Sequence, residues 1–369
     1  MTRQRFVPAA VQPFKPPIAT ARRCGVSLLR ALLLLAPLTL LLGAQPAAAL
    51  NLSLEPLQPI PEKIPADPAL AKLGEKLFFD PRLSADNTIS CAHCHDLEHG
   101  GVDGLKHSYG VDGREGMVNS PTVFNSGLNF AQFWDGRAAT LEDQIDGPVT
   151  GHVEMDSKWP DVLKKLREDQ LYKQRFHTLF DDGLTANNVK HAIAEFERTL
   201  LTPDSRFDRY LKGDVNAINE AEKHGYALFK SYGCVSCHQG RNVGGNLFQK
   251  LGVMGDYFKE NAMENKAGLG RFNVTGLASD KHRFKVPSLR LVVLTAPYFH
   301  NGRYRTLAET IRTMAKFQLG RHIPDEDIRY IIQFLYTLPG KYRGKSLEPK
   351  DRPLLHFGNL DSAPSGADS

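Results

Sequence analysis

Apolar residues recur at the spacing of an α-helix in several stretches of this 369-residue chain. The clearest pattern predicts a helix over 189–200 with one apolar face, formed by Val189, Ala192, Ile193, Phe196 and Leu200. A looser pattern over 162–179 has the same period. Residues 306–309 read Thr-Leu-Ala-Glu, a capping box that predicts the start of another helix. Strand patterns are few, so the chain is predicted to be mainly α-helical.

The helical pattern occurs twice in the same order. Residues 74–78 and 225–229 both begin with glycine and end with Leu-Phe, and each opens one half of the chain. An apolar helical stripe closes each half, at 192–200 and at 331–338. A glycine lets the backbone of another helix approach closely. We therefore expect each opening helix to cross its closing helix at the glycine.

Segments rich in Gly, Pro and Asn separate these helices. The two longest, 97–128 and 239–300, are predicted to be loops. The join between the halves is expected near the Thr-Pro-Asp sequence at 202–204. The predicted mature chain has an N-terminal domain, a C-terminal domain and a polar tail, over 50–203, 204–345 and 346–369.

The first 49 residues have the features of an export signal. Arg22 and Arg23 precede an apolar run over 28–42, and three alanines at 47–49 offer a cleavage site. The run is shorter than most membrane spans, and an uncleaved anchor is the alternative. The arginine pair also fits a twin-arginine signal. We expect a signal peptide over 1–49 and a periplasmic protein with no membrane segment after cleavage.

Removal of this segment changes the charge of the protein. The whole chain has a formal net charge of +5. Residues 1–49 hold six basic side chains and no acidic one, so subtracting six from +5 gives −1 for the mature chain. A nearly neutral protein gives no reason to expect nucleic acid as a partner.

Two Cys-x-x-Cys-His sequences, at 91–95 and 234–238, carry the strongest chemical signal. This is the attachment sequence of a c-type haem. Two thiols one helical turn apart can bond the two vinyl groups of one porphyrin, and the histidine then faces the iron. A zinc knuckle or a thioredoxin-like site is the alternative, but neither needs a histidine directly after the second cysteine. We predict two covalently bound haem c groups, held by Cys91, Cys94, His95, Cys234, Cys237 and His238.

With these motifs in place, each half resembles a cytochrome c domain, and the whole chain resembles a bacterial di-haem cytochrome c peroxidase. The similarity covers nearly all of the mature chain. Its most specific stretches are 119–122 (Asn-Ser-Pro-Thr), 133–137 (Phe-Trp-Asp-Gly-Arg), 144–155 (from Gln through Gly-Pro to Glu-Met) and 296–300 (Ala-Pro-Tyr-Phe-His). The resemblance implies two cytochrome c-like haem domains whose long loops wrap the haems.

The resemblance places the peroxide chemistry at the first haem. Peroxide reduction needs an iron with an open sixth position and groups beside it that accept and donate protons. The family has a glutamate and a glutamine there, which match Glu154 and Gln144. Glu154 is expected to shuttle a proton between the peroxide oxygens, and Gln144 to position the peroxide. Trp134 matches the residue between the haems, which either shortens the path for electrons or only fills space.

The second haem is the expected entry point for electrons. Met314 matches the family's distal ligand, and a thioether ligand raises the potential of the iron. Met314 also lies on an apolar helical face and could simply belong to the core, and Met254 and Met263 are rival ligands. A related family, which matures methylamine dehydrogenase, has tyrosine at this position, so a methionine favours peroxidase. His300 matches a histidine that supports a haem without binding its iron.

A calcium ion between the domains is also implied by the resemblance. In the family an asparagine side chain and two backbone carbonyls bind it, and the matching residues are Asn119, Thr295 and Pro297. Oxygen ligands with water suit calcium. No acidic cluster marks this site, so the residues alone would not have predicted it.

The chain departs from the family pattern at one position. Many relatives have a histidine in the loop after the first haem motif, which binds the active-site iron in the oxidised enzyme and leaves on reduction of the other haem. Here the aligned residue is Val111, which cannot bind iron. Either the first haem is open at rest, or His107 substitutes; His99 lies earlier in the same loop. We favour the open site.

The sequence thus predicts a periplasmic enzyme that detoxifies hydrogen peroxide by reducing it to water. Its electrons are expected from a small soluble cytochrome c or copper protein, and the family often forms homodimers. Two other functions stay open. One is a related di-haem enzyme that oxidises a protein or an organic substrate through high-valent haem. The other is a di-haem electron carrier. A haem-based sensor would need a signalling domain, and no such domain is visible.

Overall fold

The computed structural model describes residues 54–261 and 265–350. The predicted signal peptide, Met263 and residues 351–369 of the predicted tail lie outside these ranges. Within them, no helix is long and apolar enough to cross a membrane.

The described chain is mainly α-helical, as predicted. Its α-helices in chain order are α1 Pro68–Phe78, α2 Cys91–Cys94, α3 Leu141–Thr150, α4 Trp159–Arg167, α5 Gln170–Leu179, α6 Ala186–Thr199, α7 Arg206–Leu211, α8 Glu220–Ser231, α9 Tyr257–Glu260, α10 Phe272–Thr275, α11 Leu307–Phe317 and α12 Asp325–Leu335. Short 3-10 turns span Pro81–Leu83, Val111–Gly113, Ser126–Leu128, Cys234–Ser236, Ala267–Leu269, Ala278–Asp280 and Val292–Leu294.

Strands are short and confined to the second half of the described chain. Strand β1 (Phe248–Lys250) pairs antiparallel with β2 (Arg283–Lys285), and Phe248 lies opposite Lys285. Strand β3 (Lys341–Tyr342) pairs with β4 (Lys345–Ser346) in a small hairpin. Most of 97–128 and 239–300 is irregular, as the composition of these segments predicted.

Two pairs of crossing helices organise the fold, and each has a glycine at its crossing. A Cβ atom added to Gly74 on α1 would lie 1.8 Å from the carbonyl oxygen of Ala192 on α6. At Gly225 on α8, the same atom would lie 1.9 Å from the carbonyl oxygen of Tyr330 on α12. Real Cβ contacts are never this close, so the helices approach more tightly than any side chain allows. The predicted role of both glycines is confirmed.

The predicted capping box at the start of α11 is also confirmed. The Thr306 hydroxyl accepts a hydrogen bond from the Glu309 backbone N–H at 3.2 Å, and the Glu309 carboxylate accepts one from the Thr306 N–H at 3.2 Å. The 162–179 pattern forms two helices rather than one. The chain breaks there because the Asp169 carboxylate caps α5, accepting from the N–H groups of Leu171 and Tyr172.

The buried side chains form one main cluster in each half and a third cluster shared by both. The shared cluster joins Phe78 and Phe196 of the helix pair α1–α6 to Leu291 of the second half. Leu57 packs into the main cluster of the second half, although it precedes α1 in the sequence. The boundary at 203/204 stays a prediction, and contacts cross it in both directions.

A buried ion pair and its hydrogen bonds connect four segments that are far apart in the sequence. The guanidinium of Arg290 bonds the Asp208 carboxylate at 2.8 Å, and neither side chain is exposed. The same guanidinium donates to the carbonyls of Gln58 and Arg241. Each of the three guanidinium nitrogens therefore has an acceptor within the protein.

Removal of one partner of this pair is expected to destabilise the protein strongly. Asp208→Asn leaves a buried guanidinium without its counter-charge, which costs about 3–5 kcal/mol. The free energy of unfolding, measured by urea titration followed by far-UV circular dichroism, should fall by that amount. Lys223→Gln is the control, because its partner Glu220 is 89% exposed, and it should change the free energy by less than about 1 kcal/mol. Equal effects of the two substitutions would contradict the prediction.

Candidate haem sites

The two Cys-x-x-Cys-His motifs fold into closely similar turns. The first forms α2, and the His95 N–H donates to the Cys91 carbonyl at 3.0 Å. The second forms a 3-10 turn, and the His238 N–H donates to the Cys234 carbonyl at 3.0 Å. All four thiols are free rather than paired in disulfides. Each motif therefore presents two thiols and one imidazole from a single turn, as haem attachment requires.

Both motif histidines are oriented through their Nδ1 atoms. His95 Nδ1 lies 3.2 Å from the carbonyl oxygen of Gly101, and His238 Nδ1 lies 3.4 Å from that of Val243. A carbonyl accepts the Nδ1 proton, which leaves Nε2 as the lone-pair donor for a metal. Burial lowers the pKa of both, to about 4 for His238. Both imidazoles are thus neutral and suited to bind iron.

A largely apolar cavity of about 330 Å³ adjoins the second motif. Cys234, Cys237, His238 and Met314 line it, together with aliphatic and aromatic side chains of α8, α11 and α12. No aspartate or glutamate of the described ranges lines it. Thiols, imidazole and thioether around an apolar space fit a haem c. The structure therefore brings Met314 to the second motif, as its predicted role requires.

The two rival methionines do not share this position. Met254 is 61% exposed and does not line the cavity. Its side chain packs instead against the turn at Gly320. Met263 lies outside the described residues.

Trp134 lies in the wall of the same cavity, although it comes from the first half of the chain. Its indole N–H donates to the Asn119 carbonyl at 2.8 Å. Its ring packs edge-on to His300, with the ring centroids 6.4 Å apart. Trp134 and Met314 also pack against one apolar cluster. The tryptophan thus connects the second haem site to residues of the first half.

His300 is buried in the cavity wall with an unpaired nitrogen. Its ring is 2% exposed and stacks on Phe284 at 4.4 Å between centroids. Its Nε2 atom makes no hydrogen bond within the described chain. Burial, followed by the charges of His282 and His107, lowers the pKa of His300 to about 4. A buried polar atom without a partner in this wall leaves one hydrogen-bonding position of His300 open to a ligand or an ordered water.

The three residues expected to bind calcium line the same cavity. The Asn119 amide donates to the Leu105 carbonyl at 2.8 Å, which leaves its Oδ1 oxygen available. The backbone of Asn119 is held by the His300 carbonyl, which accepts its N–H at 2.8 Å. Thr295 and Pro297 of the second half thus share a cavity wall with Asn119 of the first. This placement fits an oxygen-ligand site.

Glu154 lies in the turn after α3, close to the first motif. Its carboxylate is half-buried, and it makes no hydrogen bond or ion pair with any residue in the described ranges. Burial raises its pKa, and the positive charge of Arg137 opposes that rise. The negative charge of Glu154 contributes in turn to the raised pKa of Cys94. An unpaired, partly desolvated carboxylate beside a haem attachment site is suited to proton transfer.

Gln144 lies on α3, one element earlier than Glu154. Its side-chain amide is half-buried and makes no hydrogen bond with the residues that the structure describes. The turn from α3 to Glu154 is held because the Pro148 carbonyl accepts the Met155 N–H at 3.0 Å. Both predicted distal residues therefore keep their polar groups available for a ligand.

The loop that departs from the family pattern also packs beside Glu154. Val111 is 4% exposed, belongs to the apolar cluster of the first half, and donates its N–H to the Glu154 carbonyl at 2.8 Å. The Nδ1 atom of His107 bonds Glu115 at 2.9 Å, and its buried Nε2 atom has no partner in the described chain. The imidazole also contributes to the lowered pKa of His300. His99 is 79% exposed and bonds Asp96.

Two buried charged residues near the sites were not predicted. Glu197 on α6 has a buried Oε2 atom without a partner in the described chain, and burial raises its pKa to about 8. Lys285 is 7% exposed and lines the second cavity. The sequence has no signal for Lys285, because alternation along a strand would place it opposite its apolar neighbours Phe284 and Val286.

Comparison with known proteins gives a consistent set of relatives. A family model described as di-haem cytochrome c peroxidase matches residues 68–216. The cytochrome c551 peroxidase of Nitrosomonas europaea is 44% identical over 327 residues, which cover 88% of this chain and 95% of that protein. The cytochrome c peroxidase Ccp of Escherichia coli K12 is 51% identical over 290 residues, covering 78% of this chain. This chain spans only 62% of the length of the E. coli protein.

A solved structure of a related protein has a similar fold. A MauG-like protein associated with microbial copper homeostasis superposes with a TM-score of 0.66 at 27% identity. The match covers 77% of this chain and 93% of that protein.

Proposed function

Because the chain belongs to the di-haem cytochrome c peroxidase family, we propose that it reduces hydrogen peroxide to water with electrons from a small soluble redox protein. The reaction consumes one peroxide, two electrons and two protons and yields two water molecules. The observation that carries this proposal is the unpaired, half-buried carboxylate of Glu154 beside the first haem motif.

The haem groups, when bound, supply the redox chemistry of this reaction. His95 and His238 would hold the two irons, and Cys91, Cys94, Cys234 and Cys237 would anchor the porphyrins. Glu154 accepts a proton from one oxygen of the bound peroxide and returns it to the other, which becomes the leaving water. The Gln144 amide orients the peroxide by hydrogen bonding. The thioether of Met314 would cap the second iron, and Trp134 would lie on the path between the sites.

The setting of the reaction is part of the same proposal. A monohaem cytochrome c or a copper protein would donate electrons near the second haem site. Asn119, Thr295 and Pro297 would hold a calcium ion where the halves of the chain meet. The enzyme would act in the periplasm after removal of residues 1–49 and could pair as a homodimer.

The first site is proposed to be open in the resting enzyme. The support is the apolar Val111 beside Glu154, together with the place of His107, whose charge acts on His300 in the wall of the second cavity. Peroxide turnover with reduced cytochrome c should therefore begin without delay from fully oxidised enzyme. Turnover that requires half-reduced enzyme, or a resting spectrum with a bis-histidine haem, would overturn this part of the proposal.

Introduction of a histidine at this position should create a need for activation. In Val111→His the imidazole would lie next to Glu154 and compete with peroxide for the first site. We expect initial turnover by oxidised enzyme to fall at least about tenfold and to recover after half-reduction, with the spin state of the ferric haem followed by electron paramagnetic resonance. Val111→Leu is the matched control, because leucine cannot bind iron. The same loss in the leucine variant would attribute the effect to packing.

The main alternative is oxidation of a protein or an organic substrate. The MauG-like relative makes this reaction worth testing. Product analysis after addition of peroxide separates the two functions. Consumption of reduced cytochrome c supports the peroxidase, whereas a covalently modified partner protein supports the alternative.

A further inference from the structure

Lys285 is a buried cation without a partner among the described residues, and it lies in the wall of the second haem cavity. The residue is 7% exposed and belongs to the residues that line the cavity. Its ammonium group makes no hydrogen bond or ion pair with any side chain in the described ranges. Burial alone lowers its pKa, to about 8, and no carboxylate offsets this effect. An unpaired ammonium in an apolar wall is costly unless an anion shares the space.

The backbone holds Lys285 firmly at this place. Its N–H donates to the Trp134 carbonyl at 2.8 Å, and it lies opposite Phe248 in the β1–β2 ribbon. The residues around the cavity include no aspartate or glutamate within the described chain. The described chain therefore supplies no anion for Lys285 in this cavity wall, and a ligand that fills the cavity is the source that remains next to it.

A haem c carries two propionate carboxylates, and the protein bonds of Cys234, Cys237 and His238 leave both of them free. We propose that Lys285 is the counter-ion of a propionate of the second haem, and that it raises the reduction potential of that haem. The inference rests on the proposed haem at the second motif and adds a residue that tunes it. A positive charge near the iron favours the ferrous state, because reduction removes one positive charge from the iron.

The test is an anaerobic spectroelectrochemical titration of the holoenzyme that follows the second haem. At the wild-type midpoint, the ratio of ferrous to ferric haem is one by definition. Lys285→Met should lower that ratio about tenfold, which is the effect of a unit charge about 10 Å from the iron at an effective dielectric constant of about 20. Lys285→Arg, which keeps the charge, should remain within about twofold of wild type.

Lys250→Met is the matched control, because Lys250 lines the same cavity but is exposed to solvent. At the wild-type midpoint potential, the ratio of ferrous to ferric haem in Lys250→Met should remain within about twofold of the wild-type ratio. If Lys285→Met does not fold with haem, Lys285→Gln serves the same test. The proposal would be overturned if the neutral Lys285 variants kept a ratio of ferrous to ferric haem within twofold of wild type at the wild-type midpoint. Loss of the methionine–iron absorption band in those variants would also overturn it, because the shift in potential would then come from a lost iron ligand and not from the lost charge of Lys285.

The titration is independent of peroxide turnover. An enzyme that does not reduce peroxide but shows the tenfold shift would refute the proposed function and leave the role of Lys285 intact. A second motif without haem absorption would refute both.

Discussion

Glu154→Gln is expected to reduce peroxide turnover by about 10²–10⁴-fold, the usual contribution of a positioned general base. Glutamine has nearly the same shape as glutamate but cannot accept and return a proton. The free carboxylate of Glu154 is not needed to hold the fold, because it bonds no residue of the described chain. The loss should therefore appear in kcat, measured by oxidation of reduced cytochrome c, while haem content and the thermal midpoint stay near the wild-type values.

Asp156→Asn is the matched control for this variant. Asp156 lies two residues from Glu154 in the same turn, but its carboxylate is engaged by Arg114 at 2.7 Å. Turnover in this variant should stay within about threefold of wild type. A Glu154→Gln enzyme as active as the control would refute the role of Glu154 as the base.

The pH dependence gives a second measurement on the same residue. Burial raises the pKa of Glu154 above its ordinary value of 4.5. Only the ionised carboxylate can accept a proton, so wild-type turnover should fall as the pH decreases through this raised pKa. In Glu154→Gln, turnover should not show this decrease on the acidic side of the pH profile. An unchanged decrease in the variant would assign it to another group.

Gly225→Ala and Gly74→Ala are expected to destabilise the protein strongly. The added methyl group would lie 1.9 Å from the Tyr330 carbonyl oxygen in the first variant and 1.8 Å from that of Ala192 in the second. Because the obstacle in each case is backbone, the crossing helices must separate along their whole contact. Overpacking costs typically about 1–3 kcal/mol, and we expect the upper end of this range because backbone cannot move aside as a side chain can. The free energy of unfolding of the holoenzyme, measured by urea titration, should show this loss.

The control is a substitution of similar size on the exposed face of the same helix. Ala227→Ser adds one atom to α8, two residues from Gly225, at a position exposed to solvent. It should change the free energy by less than about 0.7 kcal/mol, the range of helix propensities. Alanine variants of the glycines as stable as this control would show that the helices can separate without cost.

Several features of the fold could be predicted from local sequence. The helix α6 and the capping box of α11 depend on residues within one or two turns of each other, and both are present in the structure. The two glycine crossings join helices that are far apart in the chain, and they were predicted because the same order of glycine and apolar stripe occurs twice. The break between α4 and α5 was not predicted, since an apolar period continues across it. There the side chain of Asp169 competes for the backbone N–H groups and ends one helix while starting another.

The candidate site was predictable only in part, and the physical reason is the range of the interactions. Each haem motif carries its chemistry within five consecutive residues. The sequence alone therefore determined two turns that each present two thiols for thioether bonds and one histidine. Only the tertiary structure decided that Trp134 of the first half lines the cavity of the second, and that Leu57 packs into the second core. It also decided that Lys285 is buried with no counter-charge in the part of the chain that the structure describes. Those outcomes depend on solvent exclusion and charge among residues far apart in the chain, which no local pattern records.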